Sequence, residues 1–306
     1  MLYKSHKNAI ALLITVMFVI VISVAIGLGL KQINNASKSV QEEKFSYQIS
    51  LLLEDVLHML QNSNDLKQIA DTNNSIDDFS LFLMQTQMIP FSTKGIDVLI
   101  KVQSARRTFN VSDMNDSRRA DYLVEYLNKY GINSDYVTML FDIISGIKED
   151  GNYNTTLFEQ YPSLFRNYLA SYQHLEVLNR FYEKEMNDNS LKNVDFTQLF
   201  YCKGRDTNAT HYKIDLNYAT PEVWEMMLGC SQEKAKLLAE HDDLYEKKAD
   251  LHLEPQELSR LQAYKYSFFE PYLDVEVRFL HNESEAKISF EYDIREKKGY
   301  NFVYEI

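Results

Sequence analysis

The sequence predicts an α+β protein: a long N-terminal helix, then a small antiparallel sheet interrupted by a large all-helical block. Three observations carry that prediction. An uncharged run of 22 residues near the N-terminus continues as an amphipathic stripe, a period of two appears near residue 96 and again after 272, and a helical period fills the interval between them. With 306 residues, 45% of them hydrophobic, the chain can bury one large core or two modest ones.

Taken in order, residues 9–30, AIALLITVMFVIVISVAIGLGL, come first. At about 1.5 Å per residue they match the roughly 30 Å hydrocarbon core of a bilayer. The run is longer than the apolar stretch of a cleaved secretory signal and leads into Lys31 and a polar helix, which argues for a retained anchor. Lys4 and Lys7 precede it, so the N-terminus is expected in the cytoplasm and the rest of the chain outside. Ile49, Leu52, Leu53, Val56, Leu57 and Leu60 then recur at helical spacing, extending the helix to about Gln61. The Asn- and Asp-rich residues 62–78 read as a loop with weak helical character.

After Gly95, the residues Ile96, Val98, Ile100 and Val102 alternate with polar positions and predict a half-buried strand, with Phe109 and Val111 as its partner. From Asp116 to about Tyr264 the pattern is helical, and Gly131 and Gly146 mark two helix ends. The period returns to two in YLDVEVRFLH, AKISFEYDI and YNFVYEI, separated by hairpin-length polar connections. One sheet would unite these strands with the earlier one, leaving the helical block as an insertion.

Charge and motifs narrow the chemistry. The net charge is -12, and beyond the apolar run 30 basic residues face 44 acidic ones, which disfavours nucleic acid and anionic lipid as partners. The stretch KIDLNYATPEVWEMMLGCSQEKAKLLAE nevertheless reads as half of a helix-hairpin-helix module, whose Gly-hydrophobic-Gly turn aims N–H groups at a phosphate. Here the turn is Gly229-Cys230-Ser231, without the second glycine. Its surroundings from Lys213 to Tyr245 carry three lysines against seven acids. Packing or protein contact is therefore its expected use, with Thr220 as N-cap, Pro221 at the first helical position, and Val223, Met226, Met227, Leu228, Ala235, Leu237 and Leu238 facing inward. Cys202 and Cys230 are the only cysteines and read either as one disulfide or as two buried thiols. No nucleophile elbow, zinc-protease helix or phosphate loop occurs, and the seven histidines lack ligand spacing, which argues against an enzyme. Asn-x-Ser/Thr sites, among them Asn73, Asn110, Asn154, Asn208 and Asn282, point to exposed loops.

A short basic head, an apolar helix that continues outside and a small terminal sheet resemble type IV pilin-like proteins. With the helical insertion, the order of NAIALLITVMFVIVIS, RTFNVSDMN and the hairpin stretch resembles the K-type minor pseudopilins of type II secretion systems, over essentially the whole chain. The resemblance implies a leader of residues 1–9, a transmembrane helix 10–30 with an outer continuation 31–61, a pseudopilin domain built from 62–115 and 265–306, and an inserted domain 116–264 of helix-hairpin-helix or SAM-like repeats. It implies prepilin peptidase cleavage between Ala9 and Ile10, with alanine standing where the family has glycine, and methylation of Ile10. Ile14 stands where most pseudopilins carry a membrane glutamate, as in the K type; without that charge to neutralise, the helix suits the filament tip. Calcium is the one implied cofactor. Asp150, Asn152 and Asn154 alternate as in a calcium loop, Glu149 adjoins them, and Asp142 matches a family acid, although Ser145 replaces another; a plain solvated turn is the alternative. The implied partners are other minor pseudopilins, secretion-apparatus membrane proteins and the peptidase, at a bacterial inner membrane with the bulk periplasmic. A competence pseudopilus tip and an unrelated single-pass adaptor or sensor are the alternatives.

Overall fold

Strands from residues 88–104 and 272–305 form one sheet in the computed structural model, which describes residues 45–71, 75–93, 95–111, 116–202, 212–241, 243–281 and 284–305. Ala9, Ile10, Ile14 and the whole apolar run lie outside the described residues. Among the described residues, no helix is long and apolar enough to cross a membrane. The chain divides into two compact units, Met1–Val56 and Leu57–Ile306. Helix α1, residues 45–62, supplies 45–56 to the first and 57–62 to the second. Phe45, Ile49, Leu53, Val56 and Leu60 are buried at steps of three and four, the stripe expected of one helix face.

Within the second unit, the expected loop at 62–78 is instead helical: α2 spans Asn64–Asp71 and α3 spans Ser75–Thr86. Few apolar residues mark α2, and Asp77 and Asp78 open α3 ahead of its apolar stretch; burial of Leu66, Ile69, Phe79, Phe82 and Leu83 stabilises both helices despite the Asn and Asp residues around them. Phe79 is fully buried, edge-on to Tyr218 and Phe269 at centroid distances of 5.4 and 5.6 Å.

The sheet has five strands in the order β1-β2-β5-β6-β7, all pairs antiparallel. Strand β2, Ile96–Ser104, buries every second residue, as its alternation requires. Its neighbours are β1, Met88–Thr93, and β5, Tyr272–His281. The sequence had offered Phe109 and Val111 as the partner of β2, and this is corrected. Phe109 forms a single parallel bridge with Phe200, donating its N–H to Leu199 O at 2.8 Å, and both Phe109 and Val111 belong to the core of the helical segment. The true partner β1 contains Pro90 and exposes most of its side chains, so it lacks the alternation of a half-buried strand. Strands β6, Ser284–Asp293, and β7, Lys298–Glu305, complete the meander, with an irregular register between Ser289 and Glu291 opposite Asn301, whose φ is +53°.

Between β2 and β5 lie α4 (Ser117–Lys129), α5 (Asp135–Ile144), α6 (Leu157–Gln160), α7 (Tyr172–Met186), α8 (Phe196–Leu199), α9 (Pro221–Leu228), α10 (Gln232–Ala239) and α11 (Pro255–Leu261). They share one apolar core that includes Leu123, Tyr136, Leu140, Leu178, Phe200 and Trp224. The segment departs from the purely helical expectation: a two-residue parallel pair joins β3, Ile214–Asp215, to β4, Tyr266–Ser267. Gly131 and Gly146, each at positive φ, follow α4 and α5 as their helix-ending role requires.

Candidate functional site

The hairpin of α9 and α10 is built as its sequence dictates. Thr220 Oγ1 accepts the Val223 N–H at 3.2 Å, Pro221 opens α9, and Gly229 closes it at φ +65°. A phosphate at the turn would need the first N–H groups of α10. One of these, Lys234 N–H, is already taken by Ser231 Oγ at 3.3 Å. The Lys234 ammonium pairs with Glu257 at 2.6 Å. At the other end, Arg260 caps α9 by donating to Met226 O and Met227 O, stacks over Tyr122 and pairs with Glu125. Any Cβ on Gly229 would lie 2.7 Å from that guanidinium, so the glycine serves a protein contact. Trp224 is wholly buried, as are Val223, Met226, Met227, Leu228, Ala235 and Leu238; Leu237, expected inside, is 74% exposed. Of the eight positions of α10 only Ala235 and Leu238 are buried, and Leu237 lies on the exposed face with Gln232, Glu233 and Lys236.

The acidic loop after α5 uses its aspartate inwardly. Asp142 is fully buried, and its carboxylate accepts four hydrogen bonds of 2.7 to 2.9 Å: from the backbone N–H and side-chain amide of Asn154 on Oδ1, and from the backbone N–H and hydroxyl of Thr155 on Oδ2. Glu149, Asp150, Asn152 and Asn154 are exposed, and Asp150 Oδ1 accepts the Asn152 N–H in a local turn. Of the residues considered for calcium, Asn154 thus meets Asp142, as a donor to its carboxylate, while Asp150 and Asn152 meet each other in the exposed turn. Among the described residues, no group of three or more His, Cys, Asp or Glu side chains is arranged to hold a metal.

Cys202 and Cys230 are thiols in this structure rather than a disulfide. Cys202 is in the core beside the Phe109–Phe200 bridge, whereas Cys230 sits in the α9–α10 turn with its thiol toward Trp224 O. Of the sequon asparagines, Asn110 is buried, which disagrees with an exposed loop there, while Asn73, Asn208 and Asn282 lie outside the described residues.

A polar centre that the sequence did not announce lies where the helical segment meets the sheet. Arg106, just beyond β2, makes a bidentate pair with Glu291 on β6 at 2.5 and 2.7 Å, both residues buried. The guanidinium is sandwiched between the rings of Tyr212 and Tyr272, 4.5 and 3.9 Å from their centroids. Tyr201 donates its hydroxyl to Glu291 and receives a bond from the Asn301 amide. Burial by itself would lower the Arg106 pKa, but Glu291, Tyr212 and Tyr201 outweigh it and hold the group charged well above the ordinary arginine range. Burial and Glu291 likewise push the Tyr201 hydroxyl far above the usual tyrosine value, so it stays a donor. No local signal separates Glu291 from the other polar positions of an alternating strand; only the turn of the chain after Ser104 puts Arg106 opposite it.

Comparison with known proteins gives one kind of answer. No protein-family model matches the chain, and no curated protein matches it. Among solved structures, a chain of the GspK-GspI-GspJ complex from the type 2 secretion system of enterotoxigenic Escherichia coli has the same overall fold. The TM-score is 0.54 and the identity 12%, with 87% of this chain and 98% of that chain covered. The fold is that of a pseudopilin-like α+β protein.

Proposed function

We propose that this chain is a minor pseudopilin of a type II secretion system. One observation carries the reading: β1 and β2 pair with β5, β6 and β7 from the far end of the chain in a single sheet, with residues 105–271 between them. The likeness to a chain of the GspK-GspI-GspJ complex runs over nearly all of that layout, which supports other minor pseudopilins as partners. The K type is favoured by the size of the helical segment and by Ile14 in place of an acid. In this reading, residues 10–61 pack among neighbouring pilin helices, and the bulk between β2 and β5 blocks addition of a further subunit above, so the chain initiates or caps the filament. The buried Arg106 centre would hold that bulk at a fixed angle to the sheet, as a cap requires.

The test is intact-mass and N-terminal peptide analysis of the full chain made with and without a prepilin peptidase. Loss of residues 1–9 only with the peptidase, leaving methylated Ile10, is the expected result. A retained Met1 in cells that process a control pseudopilin would put a single-pass adaptor ahead. Whether the filament exports protein or takes up DNA is then read from secretion and transformation of a deletion strain.

A further inference from the structure

Between α6 and α7, residues 161–171 form a strap without helix or strand. Three contacts pin it. Arg166 lies over the Phe158 ring at 4.0 Å and donates to the Tyr153 hydroxyl at 2.8 Å. Asn167 donates its N–H to Ile143 O at 2.6 Å with φ at +117°, a conformation that residues other than glycine keep only where their neighbours impose it. The third contact is His174, in the first turn of α7, whose Nδ1 accepts the Ala170 N–H at 3.3 Å. Between these last two points Leu169 is buried in the helical core.

The bond from Ala170 fixes the protonation state of the ring. Only an imidazole nitrogen with a free lone pair accepts an N–H, so Nδ1 carries no proton and the ring is neutral. His174 is buried, and its Nε2 is enclosed without a hydrogen-bond partner. It stands third in α7, whose N-cap Ser171 Oγ accepts its backbone N–H at 3.2 Å, and there the helix dipole opposes a cation. Among the described residues no carboxylate pairs with the ring. Asp142 is taken by Asn154 and Thr155, Glu176 pairs with Arg180, Asp135 stands at the far end of α5 from Ile143, and Glu159 is exposed. Arg166 and Lys148 lie over Tyr153, the Tyr168 ring meets Phe165, and the Tyr172 hydroxyl is aimed at Thr197 O. We propose that residues 161–171 are an acid-opened strap: neutral His174 holds the segment on the helical core, and protonation of the ring releases it. A proton on Nδ1 abolishes the acceptor and sets one N–H against another, so the segment lifts and draws Leu169 out of the core. Burial holds the His174 pKa below the ordinary histidine value, opposed by the Phe165 carbonyl, which is too poorly placed to accept a hydrogen bond from Nε2. A base whose pKa is lowered in the closed state binds its proton more tightly when open. The closing stability is thus fully present above the ordinary histidine value of about 6.5 and is lost as pH falls below it toward the lowered one.

The experiment is hydrogen exchange with mass spectrometry on the full chain in detergent, from about pH 7.5 to about pH 5.0 and corrected for the intrinsic pH dependence of exchange. Protection of residues 164–171 should fall by about fivefold or more on acidification, while the β5–β6 amides keep theirs. His174→Asn offers an amide oxygen to the Ala170 N–H without titrating, so protection there should no longer change with pH. Flat profiles in the native chain, a fall shared equally by the β5–β6 amides, or an unchanged profile in a folded His174→Asn variant would overturn the strap. If that variant does not fold, deuterium exchange at the His174 ring Cε1 decides, since it reads the pKa of the imidazole by mass in the native chain. A value below about 6.5 supports the proposal, and one at or above it refutes it.

Discussion

Glu291 and Asp142 are both buried carboxylates, yet each is satisfied from a different range of the chain. Glu291 meets Arg106 and Tyr201, 185 and 90 residues away, so its bonds tie the sheet to the helical segment. Asp142 is met by Asn154 and Thr155, 12 and 13 residues on, so its bonds shape one loop. The physical difference is equally sharp. At Glu291 a cation offsets the charge and aromatic faces shield it; at Asp142 four uncharged donors spread it. The first is a long-range constraint whose loss should be felt globally, the second a local one whose loss should stay near residues 146–156.

Breaking the long-range centre should cost most. Arg106→Met leaves Glu291 buried without its cation and is expected to destabilise the full chain by about 3–5 kcal/mol in urea unfolding in mild detergent. Adding Glu291→Met should restore much of that, because the unpaired charge is gone; a double variant no better than the single would show that the ring sandwich, not the ion pair, dominates. Next in size, Asp142→Ala strands four donors and should cost about 2–4 kcal/mol, with the increase in hydrogen exchange confined to the loop. An equal increase throughout the sheet would erase the contrast drawn between the two sites.

Smaller effects sharpen the same comparison at the hairpin. Gly229→Ala combines a positive φ with a Cβ against Arg260 and should cost about 1–2 kcal/mol. At the small end, Lys234→Ala removes a partly exposed pair with Glu257 and should change stability by no more than about 0.5 kcal/mol, with no change in affinity for duplex DNA measured by anisotropy. A loss of DNA affinity in that variant would revive the phosphate-binding reading of the turn.

Much of this was legible in particular residues. The alternation in YLDVEVRFLH gives β5 directly, since a strand that buries one face must alternate. Thr220, Pro221 and Gly229 bound α9 because caps are satisfied within a few residues. Helix α2 and strand β1 were not readable, because their apolar residues are too sparse or too exposed to set a period, and the Asn- and Asp-rich residues before Phe79 hid the start of α3. The candidate calcium residues show a further limit: spacing can suggest a ligand set, but the fold turned Asp142 inward and left Asp150 and Asn152 on the surface.

By itself, then, the sequence determined the α+β class, the C-terminal meander, the stripe on α1 and the capped hairpin, each of which follows from interactions between residues a few positions apart. The tertiary structure alone decided which strand lies beside β2, where Phe109 goes, and that Arg106 and Glu291 form the junction. Those outcomes depend on pairings between residues tens to hundreds of positions apart. Their free energy comes from burial and desolvation, which no local period or composition encodes.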